Sequence, residues 1–264
     1  MDDETRSDII SKVPQLTIVF WIIKILATTL GETGGDAVTM SWLGETTAEA
    51  NGFGYLIGTA IFGAIFVVAV IIQIKASKFH PFLYWFTIVA TTTVGTTLAD
   101  YCTRSMGIGY AGGSAILFTC VLASLLVWRL VMGTVSVDSV NNAKVEMFYW
   151  VTIMFSQTLG TALGDWVASE DGLDLGYLVS AEVFGGLLLL VVALYFATKV
   201  SRVILFWIAF ILTRPLGAVV GDFLDKPTTA GGLGLSRLSI SLLLLAVITA
   251  CIFIFRPKAA EAAH

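Results

Sequence analysis

Long apolar runs separated by short polar segments dominate this chain of 264 residues. The runs are rich in Leu, Ile, Val and Gly and do not alternate between apolar and polar residues with a period of two. Since a helix needs about 20 apolar residues to cross a bilayer, the pattern favours membrane-spanning helices over an outer-membrane barrel. It predicts about eight transmembrane helices, near residues 13–38, 52–75, 81–104, 109–132, 146–168, 174–198, 202–224 and 233–255.

The odd-numbered helices share a phrase that begins with Trp and ends with Asp. Four segments align without gaps: WIIKILATTLGETGGD (21–36), WFTIVATTTVGTTLAD (85–100), WVTIMFSQTLGTALGD (150–165) and WIAFILTRPLGAVVGD (207–222). A polar loop and a second apolar run follow each Asp, so each repeat comprises two helices and all repeats run in parallel. We predict an all-α membrane protein with one domain, 1–264, and repeats near 13–75, 81–132, 146–198 and 202–255.

Composition and charge agree with this interpretation. Hydrophobic residues make up 57% of the chain and charged residues only 13%, about half of what is usual in a soluble domain. Only Arg104, Lys226 and Arg237 lie on the Asp side of the predicted helices. The other basic residues used for orientation flank the Trp side: Arg6, Lys12, Lys75, Lys78, Arg129, Lys144, Lys199, Arg202, Arg256 and Lys258. The positive-inside rule then places both termini in the cytoplasm.

Counting back from each Asp in steps of four residues reveals a polar strip on each odd-numbered helix. The strips are Asp36, Glu32, Thr28 and Lys24; Asp100, Thr96 and Thr92; Asp165, Thr161 and Gln157; and Asp222, Ala218 and Arg214. An ionised side chain costs at least ~2.5–3.5 kcal/mol at the membrane centre. The strips are therefore expected to face one another, a cavity or a pore, with the four Asp residues at a similar depth.

Small residues precede every Asp at helical spacing. The pairs are Gly31 and Gly35, Gly95 and Ala99, Gly160 and Gly164, and Gly217 and Gly221. Small residues four apart allow helix backbones to approach closely in lipid. We interpret these glycines as helix-packing residues. A second interpretation, in which the glycine before the Asp loosens the helix and frees carbonyl ligands, stays open.

Two glutamates interrupt apolar helices without acidic equivalents in the other repeats. Glu182 lies in an even-numbered helix, and Glu32 lies one turn before the first Asp. An isolated carboxylate inside a membrane helix indicates a functional site by default. The structural alternatives are ion pairs of Glu182 with Arg214 or Arg237, and of Glu32 with Lys24 or Arg214. For the four Asp residues, the alternative is that they only end their helices near the headgroups.

The candidate site is rich in oxygen and lacks clustered Cys or His, which favours hard cations over soft metals. We hypothesise a transporter of Mn²⁺, Mg²⁺ or Ca²⁺, with manganese export as the leading case and protons as coupling ions. The metal-binding candidates are Asp36, Asp100, Asp165, Asp222, Glu32 and Glu182. The supporting polar residues are Thr28, Thr92, Thr96, Thr161, Gln157, Lys24 and Arg214. The chain lacks a Walker motif, which argues against ATP-driven pumping.

Two other function classes stay open. A non-catalytic scaffold or sensor subunit would use the polar strips as hydrogen bonds between helices. An intramembrane aspartyl-type enzyme would need two special Asp residues, and four equivalent ones fit that poorly. We therefore expect no enzyme activity, no covalent cofactor and no nucleic-acid partner, and the sequence does not predict an oligomeric state.

The Trp…Thr-x-Leu-Gly-x₃-Gly-Asp repeats resemble a bacterial family of uncharacterised polytopic membrane-anchored proteins over nearly the whole chain. The resemblance implies four repeats, eight helices and a location in the bacterial inner membrane, but no activity. A looser likeness is to manganese and calcium exporters with a Glu-x-Gly-Asp motif. In the segment Glu32–Asp36 this chain has one residue too many for that motif, and the other repeats lack the Glu.

Overall fold

The computed structural model describes residues 10–48 and 50–261, so Arg6 lies outside the described residues. Eight α-helices account for most of this part of the chain, as the apolar pattern predicted. They are α1 (Ile18–Asp36), α2 (Phe53–Lys75), α3 (Pro81–Asp100), α4 (Tyr110–Met132), α5 (Ala143–Ala168), α6 (Gly176–Ala197), α7 (Arg202–Asp225) and α8 (Arg237–Phe255). Wider π-helical turns extend α1 over Ala37–Trp42 and α3 over Tyr101–Ser105.

The first helix begins later than predicted. Residues Ile10–Pro14 form strand β1, which pairs antiparallel with β2 (Ala259–Glu261) near the other end of the chain. The prediction of a helix from residue 13 was wrong because Pro14 disfavours helical geometry in the residue before it. The helix instead begins after Thr17, whose side chain accepts a hydrogen bond from the backbone N–H of Phe20 and so caps the first turn.

The odd-numbered helices form a closed inner ring. Helix α1 packs against α3, α3 against α5, α5 against α7, and α7 against α1. Each even-numbered helix packs outside the ring, mainly against the inner helix of the next repeat. Thus α2 lies on α3, α4 on α5, α6 on α7, and α8 returns to α1. The two helices of one repeat are therefore not each other's main packing partners, and this arrangement interlocks the four repeats.

Burial is inverted relative to a soluble protein. In the most apolar windows of α2, α4, α6 and α8, only 11% to 17% of the residues are buried, against 56% to 72% in α1, α3 and α7. Within the described residues, seven helices are long and apolar enough to cross a membrane. Helix α5 is the exception, because Ser156, Gln157 and Thr158 interrupt its apolar run. Apolar faces outside and polar faces inside are what a lipid environment demands.

Aromatic side chains fill the end of the ring at which the four Trp-to-Asp motifs begin. We call this end the Trp end and the opposite end the Asp end. Trp85, Trp150 and Trp128 are almost completely buried there. The hydroxyls of Tyr84 and Tyr149 lie 2.6 Å apart in the same core. Of the four tryptophans of the repeat motif, Trp85, Trp150 and Trp207 are buried in this core, and Trp21 is partly buried against it.

Strand β1 lies across the Trp end. Val13 is completely buried in the aromatic core, and the Ser11 hydroxyl donates to the carbonyl oxygen of Val137 at 2.8 Å. The ammonium of Lys12 lies 2.6 Å from the carboxylate of Glu146 on α5. The described N-terminal segment therefore closes this end of the ring.

Candidate functional site

The four polar strips lie inside the inner ring and in register. The hydroxyls of Thr96 and Thr161 lie 3.3 and 3.4 Å from the same carboxylate oxygen of Glu32, which joins three helices at equivalent repeat positions. Four levels follow from the Asp end towards the Trp end. They are the Asp level (Asp36, Asp100, Asp165, Asp222), the Glu32 level (Glu32, Thr96, Thr161, Ala218), the Arg214 level (Thr28, Thr92, Gln157, Arg214) and the Lys24 level (Lys24, Ile88, Ile153, Phe210).

The repeat glycines hold these levels in register. A Cβ atom on Gly95 would lie 3.0 Å from the backbone and side chain of Gln157 on the next inner helix. The other three contacts of this kind are closer still. They join Gly31 to Thr92, Gly160 to Arg214, and Gly217 to Thr28 around the ring. The second set joins Gly35 to Thr96, Gly164 to Ala218, and Gly221 to Glu32 at 2.9 to 3.2 Å. Any larger side chain would push neighbouring helices apart.

A buried ion pair occupies the Glu32 level. The Nη2 atom of Arg214 donates to Glu32 at 2.9 Å and to the Thr96 hydroxyl at 2.6 Å, and it also contacts the Thr161 hydroxyl. Each repeat contributes one of these four residues. Arg214 belongs to the adjacent level towards the Trp end, and its side chain extends to the Glu32 level next to Ala218. The small side chain of Ala218 takes little space at this level. Arg214 is completely buried and Glu32 is only 2% exposed, so the pair blocks the axis of the ring.

Two cations bridge the four carboxylates at the Asp level. Arg104 lies 2.8 Å from Asp100 and 3.0 Å from Asp165. Lys226 lies 2.9 Å from Asp222 and also contacts Asp36. Both cations are placed four residues after an Asp of their own repeat. The sequence prediction assigns Arg104 and Lys226 only to the orientation of the chain. Their spacing of four residues from Asp100 and Asp222 is the signal that identifies them as partners of these carboxylates.

Lys226 also contributes to a second ion pair at the rim of the Asp level. Its ammonium lies 3.9 Å from Asp225, which in turn accepts a hydrogen bond from Arg237 at 3.0 Å. Burial by itself lowers the pKa of Lys226, but the carboxylates of Asp222, Asp36 and Asp225 raise it well above the ordinary lysine value. Lys226 therefore stays charged throughout the neutral range.

Three carboxylates come close enough to share a metal ion. Glu32, Asp36 and Asp222 each offer an oxygen atom, and these atoms all lie within 4.8 Å of one another. All three residues are buried, and the Oδ1 atom of Asp36 has no hydrogen-bond partner in the described part of the chain. Asp100 and Asp165 form the neighbouring pair that Arg104 bridges. Oxygen ligands of this kind suit hard cations.

The repeats identified in the sequence also match a known family. Residues 19–79, 83–134, 148–201 and 205–256 each match the family described as Repeat of Unknown Function (DUF347). The chain belongs to this family. No curated protein and no solved structure matches it.

Each DUF347 match comprises one inner and one outer helix, as the sequence repeats predicted. The site is therefore assembled from the first helix of every repeat. Glu182 lies on the second helix of the third DUF347 repeat, and the structure places it away from this site. Its side chain is exposed on the outside of α6, and no hydrogen bond or ion pair joins it to another described residue. Arg214 and Arg237, its suggested partners, pair with other carboxylates.

Lys24 is the second sequence-predicted residue that stands apart from the carboxylates. It is completely buried, and its ammonium lies 4.2 Å from the centre of the Phe210 ring. Within the described residues it has no hydrogen-bond partner. Both polar atoms of the Gln157 side chain, one level closer to the Asp end, also lack partners in the same range. Lys24 and Arg214 are the two suggested partners of Glu32, and in the structure Glu32 forms its ion pair with Arg214.

Proposed function

We propose that the protein is a multi-pass membrane transporter of a small hard cation, with a divalent metal such as manganese as the leading substrate. The apolar faces of the outer helices support membrane insertion, since water would not accept so large an apolar surface. The distribution of Lys and Arg supports a cytoplasmic Trp end. The resemblance of the repeats to a bacterial family of membrane-anchored proteins supports the inner membrane as the location.

The observation that carries the proposal is the buried trio of Glu32, Asp36 and Asp222. Three carboxylate oxygens within 4.8 Å of one another repel strongly unless positive charge lies among them. A divalent ion supplies that charge compactly and accepts oxygen ligands at 2.0–2.6 Å, as is general for Mg²⁺ and Ca²⁺. The same three residues, on α1 and α7, define a buried place inside the ring where a cation would pause between the two ends.

The cationic side chains suggest how such a path is kept closed. Lys226 and Arg214 hold the same carboxylates that the metal needs, so each acts as a tethered competitor of the free cation. A metal ion entering from the Asp end would displace Lys226 from Asp36 and Asp222. It would then meet the ion pair of Arg214 and Glu32. In this scheme, Glu32 is the residue whose protonation couples metal movement to protons.

The experiment is metal flux into proteoliposomes that contain the full chain. Wild-type protein is expected to carry Mn²⁺ into vesicles loaded with a metal-sensitive dye. The variants Asp36→Asn, Asp222→Asn and Glu32→Gln are each expected to lose most of this flux. Glu170→Gln, which changes an exposed acidic residue in a loop, serves as the matched control. Unchanged flux in all three variants, or no wild-type flux of Mn²⁺, Mg²⁺ or Ca²⁺, would contradict the proposal.

A second candidate, a membrane scaffold or sensor subunit, is favoured by the pairing at the Asp level. All four repeat Asp residues lie within ion-pair distance of Arg104 or Lys226, as interhelical stabilisation would require. Under this candidate, wild-type protein carries no cation flux, and Asp36→Asn lowers the amount of folded protein in membranes. Measuring abundance beside flux therefore separates the two functions.

A further inference from the structure

We propose that the inner ring also binds a small monovalent anion of about the size of chloride, between Lys24, Gln157 and Arg214. This site would lie on the ring axis between the Glu32 level and the aromatic core of the Trp end. The inference rests on the partners of these three residues and holds whether or not the protein transports a cation.

The three residues come from three inner helices at adjacent levels. Lys24 of α1 places its ammonium 4.2 Å from the ring centre of Phe210 on α7, and Phe210 lies one helical turn from Arg214. The ammonium of Lys24 has no hydrogen-bond partner among the described residues, and Arg214, on the adjacent level, is another cation. Gln157 of α5 occupies the Arg214 level, and Gly160, almost one turn further along α5, packs against the stem of Arg214.

These side chains present an excess of hydrogen-bond donors. Lys24 Nζ, Arg214 Nε and Nη1, and Gln157 Nε2 are buried and have no partner among the described residues. The Nη2 atom of Arg214 is already engaged by Glu32, Thr96 and Thr161. The Nη2 atom of the guanidinium thus has partners, whereas its Nε and Nη1 atoms have none among the described residues. A buried N–H group without a partner costs roughly 1–3 kcal/mol, so several together call for an acceptor.

Charge selects the kind of acceptor. Between the Trp and Asp of each repeat motif, the inner helices carry only three charged residues: Lys24, Glu32 and Arg214. Glu32 neutralises Arg214, which leaves Lys24 without a counter-ion in the part of the chain that the structure describes. A buried ammonium is tolerated when it is paired and is very costly when it is alone. A small anion supplies the missing charge and accepts several N–H hydrogen bonds at once, whereas water supplies no charge and a metal ion is repelled.

The first experiment measures thermal unfolding of the purified full chain in detergent micelles. Sodium chloride is titrated against sodium gluconate at constant ionic strength, because gluconate is too large for the site. Binding to the folded state raises the unfolding temperature in a saturable way. Nitrate and formate titrations test whether other small anions share the site. Equilibrium binding of ³⁶Cl⁻ to the same samples reports the anion directly.

Two variants and two controls decide the result. Lys24→Met removes the ammonium and is expected to weaken ³⁶Cl⁻ binding at least tenfold, whereas Lys24→Arg keeps it. Gln157→Glu offers Lys24 a carboxylate in place of the anion, so this variant is expected to fold without chloride and to lose the chloride dependence. Lys144→Met, at an exposed lysine, should behave as wild type.

Absence of saturable chloride binding to wild-type protein would overturn the proposal, with internal water then satisfying the donors. Chloride binding of wild-type strength in both Lys24→Met and Gln157→Glu would overturn it equally. If Lys24→Met does not fold, Gln157→Glu decides alone, because its added carboxylate competes directly with the anion.

Discussion

At the Asp end of the inner ring, five buried carboxylates share three cations. Two turns beyond Glu32, by contrast, Lys24 has no counter-ion among the described residues. The carboxylates are Asp36, Asp100, Asp165, Asp222 and Asp225, and the cations are Arg104, Lys226 and Arg237. The four repeat Asp residues and Lys24 lie on the inward face of the inner helices, at equivalent helical phase. The repeat therefore determines where a polar group is placed, and the divergence of the four copies determines its sign.

The ion pair of Arg214 and Glu32 separates these two regions, and its loss should have the largest effect. Arg214→Met leaves the Glu32 carboxylate buried without its ion-pair partner, which we expect to destabilise the protein by about 3–5 kcal/mol. Chemical unfolding in micelles measures this loss. The double variant Glu32→Gln, Arg214→Met should recover part of it, and Arg129→Met, at an exposed arginine, should change little. If Arg214→Met is as stable as wild type, the ion pair of Arg214 and Glu32 does not separate the two regions.

The glycine contacts keep both regions in register, and their loss should rank second. Gly160→Ala and Gly217→Ala place a methyl group against Arg214 and Thr28, so we expect losses of about 1–3 kcal/mol. Gly185→Ala and Gly186→Ala are matched controls, since a Cβ there meets no atom within 4 Å. These controls should be neutral or slightly stabilising. Equal effects at all four positions would argue against close packing of the inner ring.

Removing one bridging cation tests whether the carboxylates of the Asp end bind a metal ion more tightly when that cation no longer competes for them. Lys226→Met frees Asp36 and Asp222 and should tighten Mn²⁺ binding about tenfold, which corresponds to roughly 1.4 kcal/mol. Arg104→Met, which frees the pair outside the trio, should have a smaller effect. Isothermal titration of Mn²⁺ into both variants compares them. Weaker binding in Lys226→Met than in wild type would mean that Lys226 supports the site instead of competing for it.

Because the surrounding carboxylates raise the pKa of Lys226, its ion pairs persist below its ordinary pKa and weaken only when the pH rises through the higher folded value. Loss of the Lys226 proton therefore cannot open the Asp end in the neutral range. We expect wild-type Mn²⁺ affinity to show no Lys226-dependent gain between about pH 7 and pH 9. A gain that disappears in Lys226→Met would contradict this view of the Asp end.

Glu182 should show the smallest effect, because it belongs to neither region. Its side chain is exposed on α6 and makes no ion pair within the described residues. Glu182→Gln is expected to leave Mn²⁺ flux unchanged. Strong loss of flux in this variant would return Glu182 to the site that the sequence alone proposed.

Much of the architecture could be predicted because it depends on local periodicity. The apolar runs predicted eight helices, and the spacing of Trp, Gly and Asp predicted four repeats, which the family matches confirm. Counting in fours predicted which polar residues share a helix face. The start of α1 was missed because Pro14 and Thr17 outweigh an apolar run that continues through them.

The sequence by itself determined the repeats, the helices and the residues on each polar strip, because these follow from a period of 3.6 residues and from the length of an apolar run. Only the tertiary structure decided that outer helices pack on the next repeat and that Arg104 and Lys226 bridge the Asp residues. It likewise decided that Arg214 pairs with Glu32, while Lys24 forms no ion pair with any residue in 10–48 or 50–261. Distances between helices depend on how side chains fill the ring, and no local pattern encodes them.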